Sequence, residues 1–541
     1  MNPFFGLIVG LFVTMGMIPP FVRASGNLRL QDKPNARKIH TQPIPCVGGF
    51  GIVGGVLLAI LVLLPSDSYI LSYLTAAFLV FAFGILDDRQ DLNYKWKLIL
   101  QAIPIAIVLH GGILIDHLPF YGFDSIGPWL SYPITALFLL GLINAVNLFD
   151  GLDGLAGGCM LLSFGAIAVL AYQVDGLALA YIALSAMGAI LGFLYFNTHP
   201  ARVFLGDAGS QFLGFTVGIL MILLVEKTHT ALNPALPLLL LGLPLLDTTW
   251  VIILRMSQGR SPFVGDRQHL HHQLLNFGFT QRSAVSLIYL AQALMVGSGI
   301  LLTYHSGLTV VGTFLAECGL IAGLVYWARA AGWKRPASSP HSGSGTIQDV
   351  RHSRFSNVWA ASTLGIEIGI SVFLIFGALA WGRLEQGLSN LALALAALTL
   401  ISPIILGKQI QLFIRIAVYV AGLLALFALQ PLAESSTSLQ WAMNSFFVVL
   451  ALAVAGVIRF TRRDLFQVTP QDLLVAFFAL AVPNLPPEWF GEFAVGYIFP
   501  RAVVVFYACE YLVTLPEHKY AWLKASAIIC LLLFGARGWL P

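Results

Sequence analysis

The sequence predicts an all-α fold, a polytopic bundle of membrane-spanning helices. Hydrophobic residues make up 58% of the 541 residues and charged residues only 10%, whereas about 25% of the residues in a soluble protein are charged. Apolar stretches long enough to cross a bilayer as a helix, about 20 residues each, follow one another along the chain. A transmembrane β-barrel would instead show alternating segments of about 10 residues, so we exclude that class.

Eleven spans are predicted in a first domain, residues 1–332. A segment rich in Pro, Ser, Gly and basic residues, 333–357, is typical of a flexible linker. Six or seven further apolar segments form a C-terminal helical membrane domain of unknown function, 358–541. The eleven spans are expected at residues 3–22, 44–64, 68–86, 97–115, 131–149, 154–172, 180–197, 208–226, 234–255, 283–303 and 308–328.

The Lys and Arg residues between these spans are distributed unequally between the two sides of the membrane. Up to residue 357, eighteen fall on one side and only Lys227 falls on the other. Lys and Arg mark the cytoplasmic side of membrane proteins. We therefore expect the loop after each odd-numbered span, and the linker, to face the cytoplasm.

Five polar clusters stand out, and all of them fall on this predicted cytoplasmic side. Each alone has a structural explanation, since charges solvate helix ends, asparagines bond neighbouring helices and glycines permit close helix packing. Their common side favours a shared site, because polar groups on membrane helices are costly unless they face a partner or a cavity. The clusters are DKPNARKIHTQPIP (32–45), DDRQDLNYKWK (87–97), NAVNLFDGLDGLAGG (144–158), PARVFLGDAGS (200–210) and GRSPFVGDRQHLHHQLL (259–275).

The residue types in these clusters indicate the chemistry of the site. Carboxylates and amide oxygens suit Mg²⁺, which binds through one or two carboxylates together with substrate phosphates. Lys, Arg and His suit phosphate oxygens. Zinc is disfavoured, because neither Cys nor a His/Glu helix pair completes a zinc site. The inventory predicts Mg²⁺-assisted phosphoryl chemistry at the cytoplasmic membrane surface, with no nucleic acid partner.

Taken in order, the five clusters resemble the polyprenyl-phosphate N-acetylhexosamine-1-phosphate transferase family over residues 1–330. NAVNLFDGLDGLAGG together with VFLGDAGS carries most of this resemblance. It implies a membrane-bound phosphotransferase that moves a sugar 1-phosphate from a UDP-sugar to a polyprenyl phosphate, giving UMP and a lipid-linked diphosphosugar. It also implies the bacterial inner membrane, an active site facing the cytoplasm and the start of cell-envelope polysaccharide synthesis.

The fifth cluster distinguishes between branches of the family. GRSPFVGDRQHLHH is similar to the WecA-like branch, which implies UDP-GlcNAc as donor and undecaprenyl phosphate as acceptor. A phospho-MurNAc-pentapeptide transferase is the alternative enzyme. A transporter or scaffold that retains a degenerate transferase fold is the alternative of another class. A homodimer is an open alternative for the assembly.

The resemblance implies roles at the matching positions. Mg²⁺, with Mn²⁺ as an alternative, is expected on Asp207 and Asn147. Asp87 or Asp88 would deprotonate or orient the lipid phosphate, and a covalent aspartyl-phosphate stays open. Lys97 is the fourth expected catalytic residue, after Asp87, Asp88 and Asp207. The expected substrate-binding residues are Asn144, Asp150, Asp153, Lys95, Arg37, Lys38, His40, Arg267, His269, His271 and His272.

Two features have no assignment from the motif itself. Asp247, within the ninth span, is expected either to line the site or to pair with another helix. The resemblance ends near residue 330, and the C-terminal domain has no recognised relative. Partner binding, oligomerisation and guidance of the lipid product are its open alternatives.

Overall fold

The computed structural model describes residues 4–32, 42–64, 68–119, 125–228, 232–261, 268–335, 356–380, 386–405, 410–460, 474–475, 495–515 and 520–537. Contacts divide the chain into two compact units. The first holds Met1–Ala337 and Thr469–Leu474, and the second holds Ser338–Val468 and Val475–Pro541. The linker predicted at 333–357 lies mostly outside the described residues.

The described part of the first unit contains thirteen α-helices and one small sheet. Strand β1 (Gln31–Asp32) pairs antiparallel with β2 (Ile44–Pro45), and Gln31 lies opposite Pro45. The helices are α1 (Phe4–Leu28), α2 (Gly48–Leu63), α3 (Ser68–Gln90), α4 (Tyr94–His110), α5 (Pro128–Phe149), α6 (Leu155–Gln173), α7 (Leu177–Asn197), α8 (Gly206–Leu223, continued by a π-helical turn Leu224–Thr228), α9 (Leu236–Leu240), α10 (Gly242–Ser257), α11 (Leu270–Asn276), α12 (Gln281–Leu301) and α13 (Gly307–Ala330).

This arrangement confirms the all-α polytopic membrane class. Ten of the eleven predicted spans coincide with one helix each. In the described part of this unit, eight helices are long and apolar enough to cross a membrane. Helices α2 and α4, at 16 and 17 residues, are shorter than the predicted spans.

The ninth predicted span, 234–255, is not one helix, because the chain breaks between α9 and α10. Pro244 has no backbone N–H to donate to the carbonyl of Leu240, four residues earlier. That carbonyl accepts instead from the Ser163 hydroxyl at 2.7 Å and from Gln292 Nε2 at 2.9 Å. Gln292 Oε1 in turn accepts from the N–H of Leu243 at 3.1 Å. Buried side chains thus satisfy the backbone groups that the break releases.

Helix α8 is the central element of this unit, and its membrane-spanning segment is wholly buried. Glycines bring α2 and α3 against its first turn. A Cβ on Gly84 of α3 would lie 2.4 Å from the Cα of Ala208, and one on Gly49 of α2 would lie 2.6 Å from the nitrogen of Gly209. Small residues at such crossings allow membrane helices to approach closely. The end of α3 is therefore fixed beside the start of α8.

Several connections meet at this end of the unit, which we call the acidic end. The N–H of Gly48 donates to the carbonyl of Phe204 at 2.9 Å, which ties the β1–β2 stem to the α7–α8 loop. Arg89 Nε donates to the carbonyl of Leu28 at 2.9 Å, which ties the end of α3 to the end of α1. The one-sided placement of the clusters predicted this meeting of distant loops.

A second polar group lies at the opposite end of α8. Glu226, in the π-helical turn, has a buried side chain that accepts from the N–H groups of Asp116 and His117, both at 3.1 Å. Its other oxygen lies 2.7 Å from His117 Nδ1. Ser131 donates to Asp116 at 2.6 Å. This group holds the α4–α5 connection against α8.

The described part of the second unit contains six helices. Arg415 pairs with Glu510 at 3.3 Å, and Arg501 donates to Gln430 at 2.9 Å and to Asn444 at 2.8 Å. These contacts link helices inside the unit. The helices are α14 (Ser356–Ala380), α15 (Gln386–Ile405), α16 (Ile410–Ser435), α17 (Thr437–Phe460), α18 (Val495–Val513) and α19 (Ala521–Arg537).

Candidate active site

Asp88, at the end of α3, caps the first turn of α8. Its Oδ1 accepts from the N–H of Asp207 at 2.7 Å, and its Oδ2 accepts from the N–H of Ala208 at 3.0 Å. These N–H groups begin a helix and have no partner within it. Gly206 adopts φ +76°, and a Cβ there would lie 2.8 Å from Asp88 Oδ2. Glycine at this position thus permits both the turn and the cap.

Asp87, the neighbouring acid, points into the protein and is only 3% exposed. Lys97 Nζ, from the first turn of α4, lies 2.8 Å from Asp87 Oδ2 and 3.3 Å from Asp207 Oδ2. The N–H of Leu92 also donates to Asp87 at 3.1 Å. A single ammonium therefore bridges two carboxylates, one from α3 and one from α8.

Asn147, near the end of α5, completes this group. Its Nδ2 donates to Asp207 Oδ1 at 2.8 Å and to the Ser210 hydroxyl at 2.9 Å. The second, third and fourth sequence clusters thus meet within hydrogen-bonding distance. The structure thus brings Asp88, Asn147 and Asp207 together.

A chain of amides lies beneath the acids. Asn144 Nδ2 donates to Gln101 Oε1 at 2.9 Å, Gln101 Nε2 donates to Gln211 Oε1 at 3.1 Å, and Gln211 Nε2 donates to Asp87 Oδ2 at 3.2 Å. Each amide passes its donor group towards the next, so the positive end of the chain faces the Asp87 carboxylate. Asn144 therefore supports the site through this chain.

The loop between α5 and α6 carries two more of the predicted acids. Burial, followed by the nearby charges of Asp207 and Asp153, raises the pKa of Asp150 to about 7. Asp153 lies 2.6 Å from His199 Nδ1 and accepts from the N–H of Ala201 at 3.1 Å. Asp150 thus belongs electrostatically to the Asp207 group, whereas Asp153 anchors the loop between α7 and α8.

The histidine helix α11 approaches the same loop. Asp247 on α10 accepts from the N–H of Leu270 at 2.7 Å and lies 2.8 Å from His269 Nδ1, so it caps α11 and orients the first histidine. The ring of His271 lies against Gly151, where a Cβ would be 2.3 Å from its Nε2. Burial, followed by the positive charge of His272, lowers the pKa of His271 to about 3. His271 is therefore neutral at physiological pH.

The remaining candidates fall into three groups. Lys95 is exposed on the first turn of α4. His272 packs beside His271, with ring centroids 4.3 Å apart. Arg37, Lys38, His40 and Arg267 lie outside the described residues.

Sequence reasoning missed three residues of this region, Gln101, Gln211 and His199. The glutamines carried a usable signal, because an amide within a membrane helix requires a partner. The argument that applies to the asparagines of α5 therefore applies to these glutamines as well. His199 follows the end of α7 directly and has no comparable signal in a single sequence.

The donor set at Asp207 suits a hard cation. Within the described residues, no cluster of three His, Cys, Asp or Glu side chains could hold a metal by itself. Mg²⁺ does not require one, because it keeps water and takes phosphate oxygens from its substrate alongside one or two protein ligands. The carboxylate of Asp207 and the side-chain oxygen of Asn147 are ligands of that kind, and the Nδ2 of Asn147 keeps this amide beside Asp207 Oδ1 at 2.8 Å.

Comparison with known proteins identifies relatives of this chain. The family model described as Glycosyl transferase family 4 matches residues 70–225. A probable undecaprenyl-phosphate N-acetylglucosaminyl 1-phosphate transferase of Bacillus subtilis is 35% identical over 301 residues, which cover 54% of this chain and 83% of the relative.

Two further relatives are undecaprenyl-phosphate alpha-N-acetylglucosaminyl 1-phosphate transferases. The one from Yersinia pestis is 35% identical over 283 residues, 50% of this chain and 76% of the relative. The one from Escherichia coli K12 is 34% identical over 308 residues, 55% of this chain and 83% of the relative. The resemblance inferred from the five clusters is confirmed: the chain belongs to glycosyl transferase family 4, together with these undecaprenyl-phosphate sugar-1-phosphate transferases.

Proposed function

We propose that this protein transfers N-acetylglucosamine 1-phosphate from UDP-N-acetylglucosamine to undecaprenyl phosphate. The main support is the contact of Asp207 with Asp88, Lys97 and Asn147, because it joins four helices that carry phosphate-type and metal-type side chains. The relatives' names supply the acceptor and the sugar. An oxygen of the lipid phosphate attacks the phosphorus that bears the sugar, and the bond from that phosphorus to UMP breaks.

The residues of this chain have distinct parts in the proposed reaction. Lys97 supplies positive charge for phosphate oxygens at a point fixed by Asp87 and Asp207. Both oxygens of Asp88 accept backbone N–H groups of α8, which favours a role in holding the first turn of that helix. Asp207 and Asn147 would hold Mg²⁺, or Mn²⁺ in its place, and the bound metal would offset the charge of the diphosphate and of the leaving group.

The proposed orientation follows from the basic residues. We place the acidic end at the cytoplasmic face of a bacterial inner membrane, because eighteen of the nineteen Lys and Arg residues before position 357 fall on that side of the predicted bundle. A water-soluble UDP-sugar would then meet a lipid phosphate held in the inner leaflet. The product would start a cell-envelope polysaccharide. A homodimer stays a prediction.

The test is UMP release by the full-length protein in nanodiscs, with undecaprenyl phosphate, Mg²⁺ and one UDP-sugar at a time. We expect turnover with UDP-GlcNAc that requires both the lipid and the metal. Asp207→Asn should reduce turnover at least about 100-fold, the scale for loss of a key electrostatic group in an active site. Wild-type turnover in that variant would refute the role of Asp207.

A matched control is Asp175→Asn, the same change at an exposed turn between α6 and α7. Asp175 adopts φ +56°, a conformation that asparagine also tolerates. The variant should therefore keep full activity. UDP-MurNAc-pentapeptide and UDP-GalNAc complete the donor series. Turnover with the peptide-bearing donor alone would replace the proposed donor by the alternative, and no turnover with any donor would reject the function.

A further inference from the structure

The last two residues of α13 and the five that follow it, residues 329–335, form a stretch that we call the exit segment. In the sequence, it precedes the residues of the second unit. The exit segment does not run freely from α13. It lies against α11, which carries His271 and His272, and against the turn that follows α11.

Polar contacts fix the exit segment at two points. Arg329 Nε donates to Gln273 Oε1 at 3.0 Å, and Gln273 is a buried residue of α11. The N–H of Arg335 donates to the carbonyl of Phe277 at 2.8 Å, immediately after α11. Arg335 also donates to the hydroxyl of Ser283, at the start of α12, at 3.4 Å.

Aromatic contacts join these two points. Trp333 packs against Phe277 and Phe279, with ring centroids 6.3 Å and 5.8 Å apart. The guanidinium of Arg335 lies 5.6 Å from the centre of the Phe279 ring. The turn between Phe277 and Phe279 requires Gly278, whose φ is +86°. The exit segment therefore contacts the residues on both sides of this turn.

Helix α11 has only seven residues, so its own hydrogen bonds cannot hold it in place. Asp247 fixes its first residue, and the ring of His271 rests on Gly151. The exit segment adds a hydrogen bond to its buried Gln273 and aromatic packing just beyond its end. Loss of those contacts would remove this support and leave the packing of α11 against α12.

We propose that Arg329 and Trp333 are positioning residues, which hold α11 so that its histidines face the α5–α6 loop. The exit segment is then part of the histidine site as well as the start of the connection to the second unit. The kinetic part of this inference rests on the proposed transferase function. The structural part, the ordering of α11, does not.

The experiment compares Arg329→Met, Arg329→Lys, Trp333→Ala and Trp333→Phe in the full-length protein. Lys334→Met is the matched control, because it removes a neighbouring cation that has no hydrogen bond or ion pair within the described part of the chain. Hydrogen exchange is measured for peptides that cover residues 268–278 and, as an internal reference, residues 206–212. Donor and acceptor KM and kcat are measured in the UMP-release assay.

We expect Arg329→Met and Trp333→Ala to speed exchange in residues 268–278 about 5-fold to 10-fold, the equivalent of about one hydrogen bond, and to leave residues 206–212 unchanged. The donor KM should rise by a similar factor while the acceptor KM stays constant. Arg329→Lys and Trp333→Phe should keep both the exchange rate and the donor KM close to the wild-type values.

The proposal would be overturned if Arg329→Met and Lys334→Met had the same exchange rate in residues 268–278. Equal changes in residues 206–212 would also overturn it, because they would indicate general loosening. If the wild-type protein has no transferase activity but Arg329→Met still speeds exchange selectively in residues 268–278, the proposed function is rejected. The positioning role of the exit segment then stands. If Trp333→Ala does not fold, Arg329→Met decides alone.

Discussion

Gly151→Ala tests the contact that joins the histidine helix to the α5–α6 loop. Gly151 does not adopt a positive φ, so alanine fits its backbone. The new Cβ, however, would lie 2.3 Å from Nε2 and 2.5 Å from Cε1 of His271. Non-bonded heavy atoms require about 3.5 Å, so the ring must retreat by about 1 Å or more.

The size of the effect follows from that displacement. A shift of about 1 Å at a reacting centre can cost about 100-fold in rate, which corresponds to about 2.7 kcal/mol in the activation free energy. We expect kcat/KM for the donor to fall between about 10-fold and 100-fold. Overpacking of the buried His271 ring should also lower the free energy of unfolding by about 1–3 kcal/mol, so kcat/KM is compared for the folded fraction of each variant.

A double-mutant cycle with His271→Ala isolates the contact. If Gly151→Ala acts only through the imidazole, it should have little further effect when that ring is already absent. Gly141→Ala on α5 is the matched control, because a Cβ at that position would meet no described atom within 4 Å apart from the backbone of its own helix. Full activity in Gly151→Ala beside an impaired His271→Ala, or strictly additive losses in the double variant, would refute the reasoning.

Three further predictions follow from the charges and polar groups of the structure. The pKa of Asp150 is raised from 3.8 to about 7 in the folded state, so the folded state binds a proton that the unfolded state releases, and the protein loses stability as the pH rises between these two values. Asp150→Asn should therefore raise the apparent melting temperature more at pH 7.5 than at pH 5. An equal gain at both pH values would contradict the raised pKa. Removal of divalent cations with EDTA should abolish UMP release, and Mg²⁺ or Mn²⁺ should restore it; metal-independent turnover would exclude the proposed metal. Glu226→Ala, at the opposite end of α8, should destabilise the protein by about 1–3 kcal/mol through the unpaired N–H groups of Asp116 and His117 and leave kcat of the folded fraction unchanged; a selective loss of kcat would show that this group contributes to catalysis.

Much of the architecture could be predicted from the sequence because a bilayer imposes simple rules. Apolar length located the spans, and the one-sided Lys and Arg residues assigned their loops to two faces. Those two rules were enough to bring Asp88, Asn147 and Asp207 to the same end. The break at Pro244 was missed because total apolar length hides a local loss of one backbone hydrogen bond, which Ser163 and Gln292 compensate from other helices.

The individual contacts within the site were less predictable. A sequence indicates which residues share a membrane face but not which rotamer each side chain adopts. Asp87 and Asp88 are adjacent in the chain, yet Asp87 turns inward to Lys97 and Asp88 turns towards the backbone of α8. Asp153 bonds His199 on another loop. Such choices depend on the relative rotation of packed helices, which hydropathy alone does not determine.

The different contacts of Asp87 and Asp88 also explain why the buried glutamines are needed. A carboxylate as buried as Asp87 is costly unless hydrogen bonds and an opposite charge compensate it. Lys97 provides the charge, but the same ammonium also contacts Asp207 and is thus shared. Gln211 supplies a further donor, and Gln101 and Asn144 orient Gln211 in turn. Among the described residues, the chain from α5 through α4 to α8 therefore compensates a buried acid without a second cation. In the proposed reaction, this leaves charge on Lys97 for an incoming phosphate.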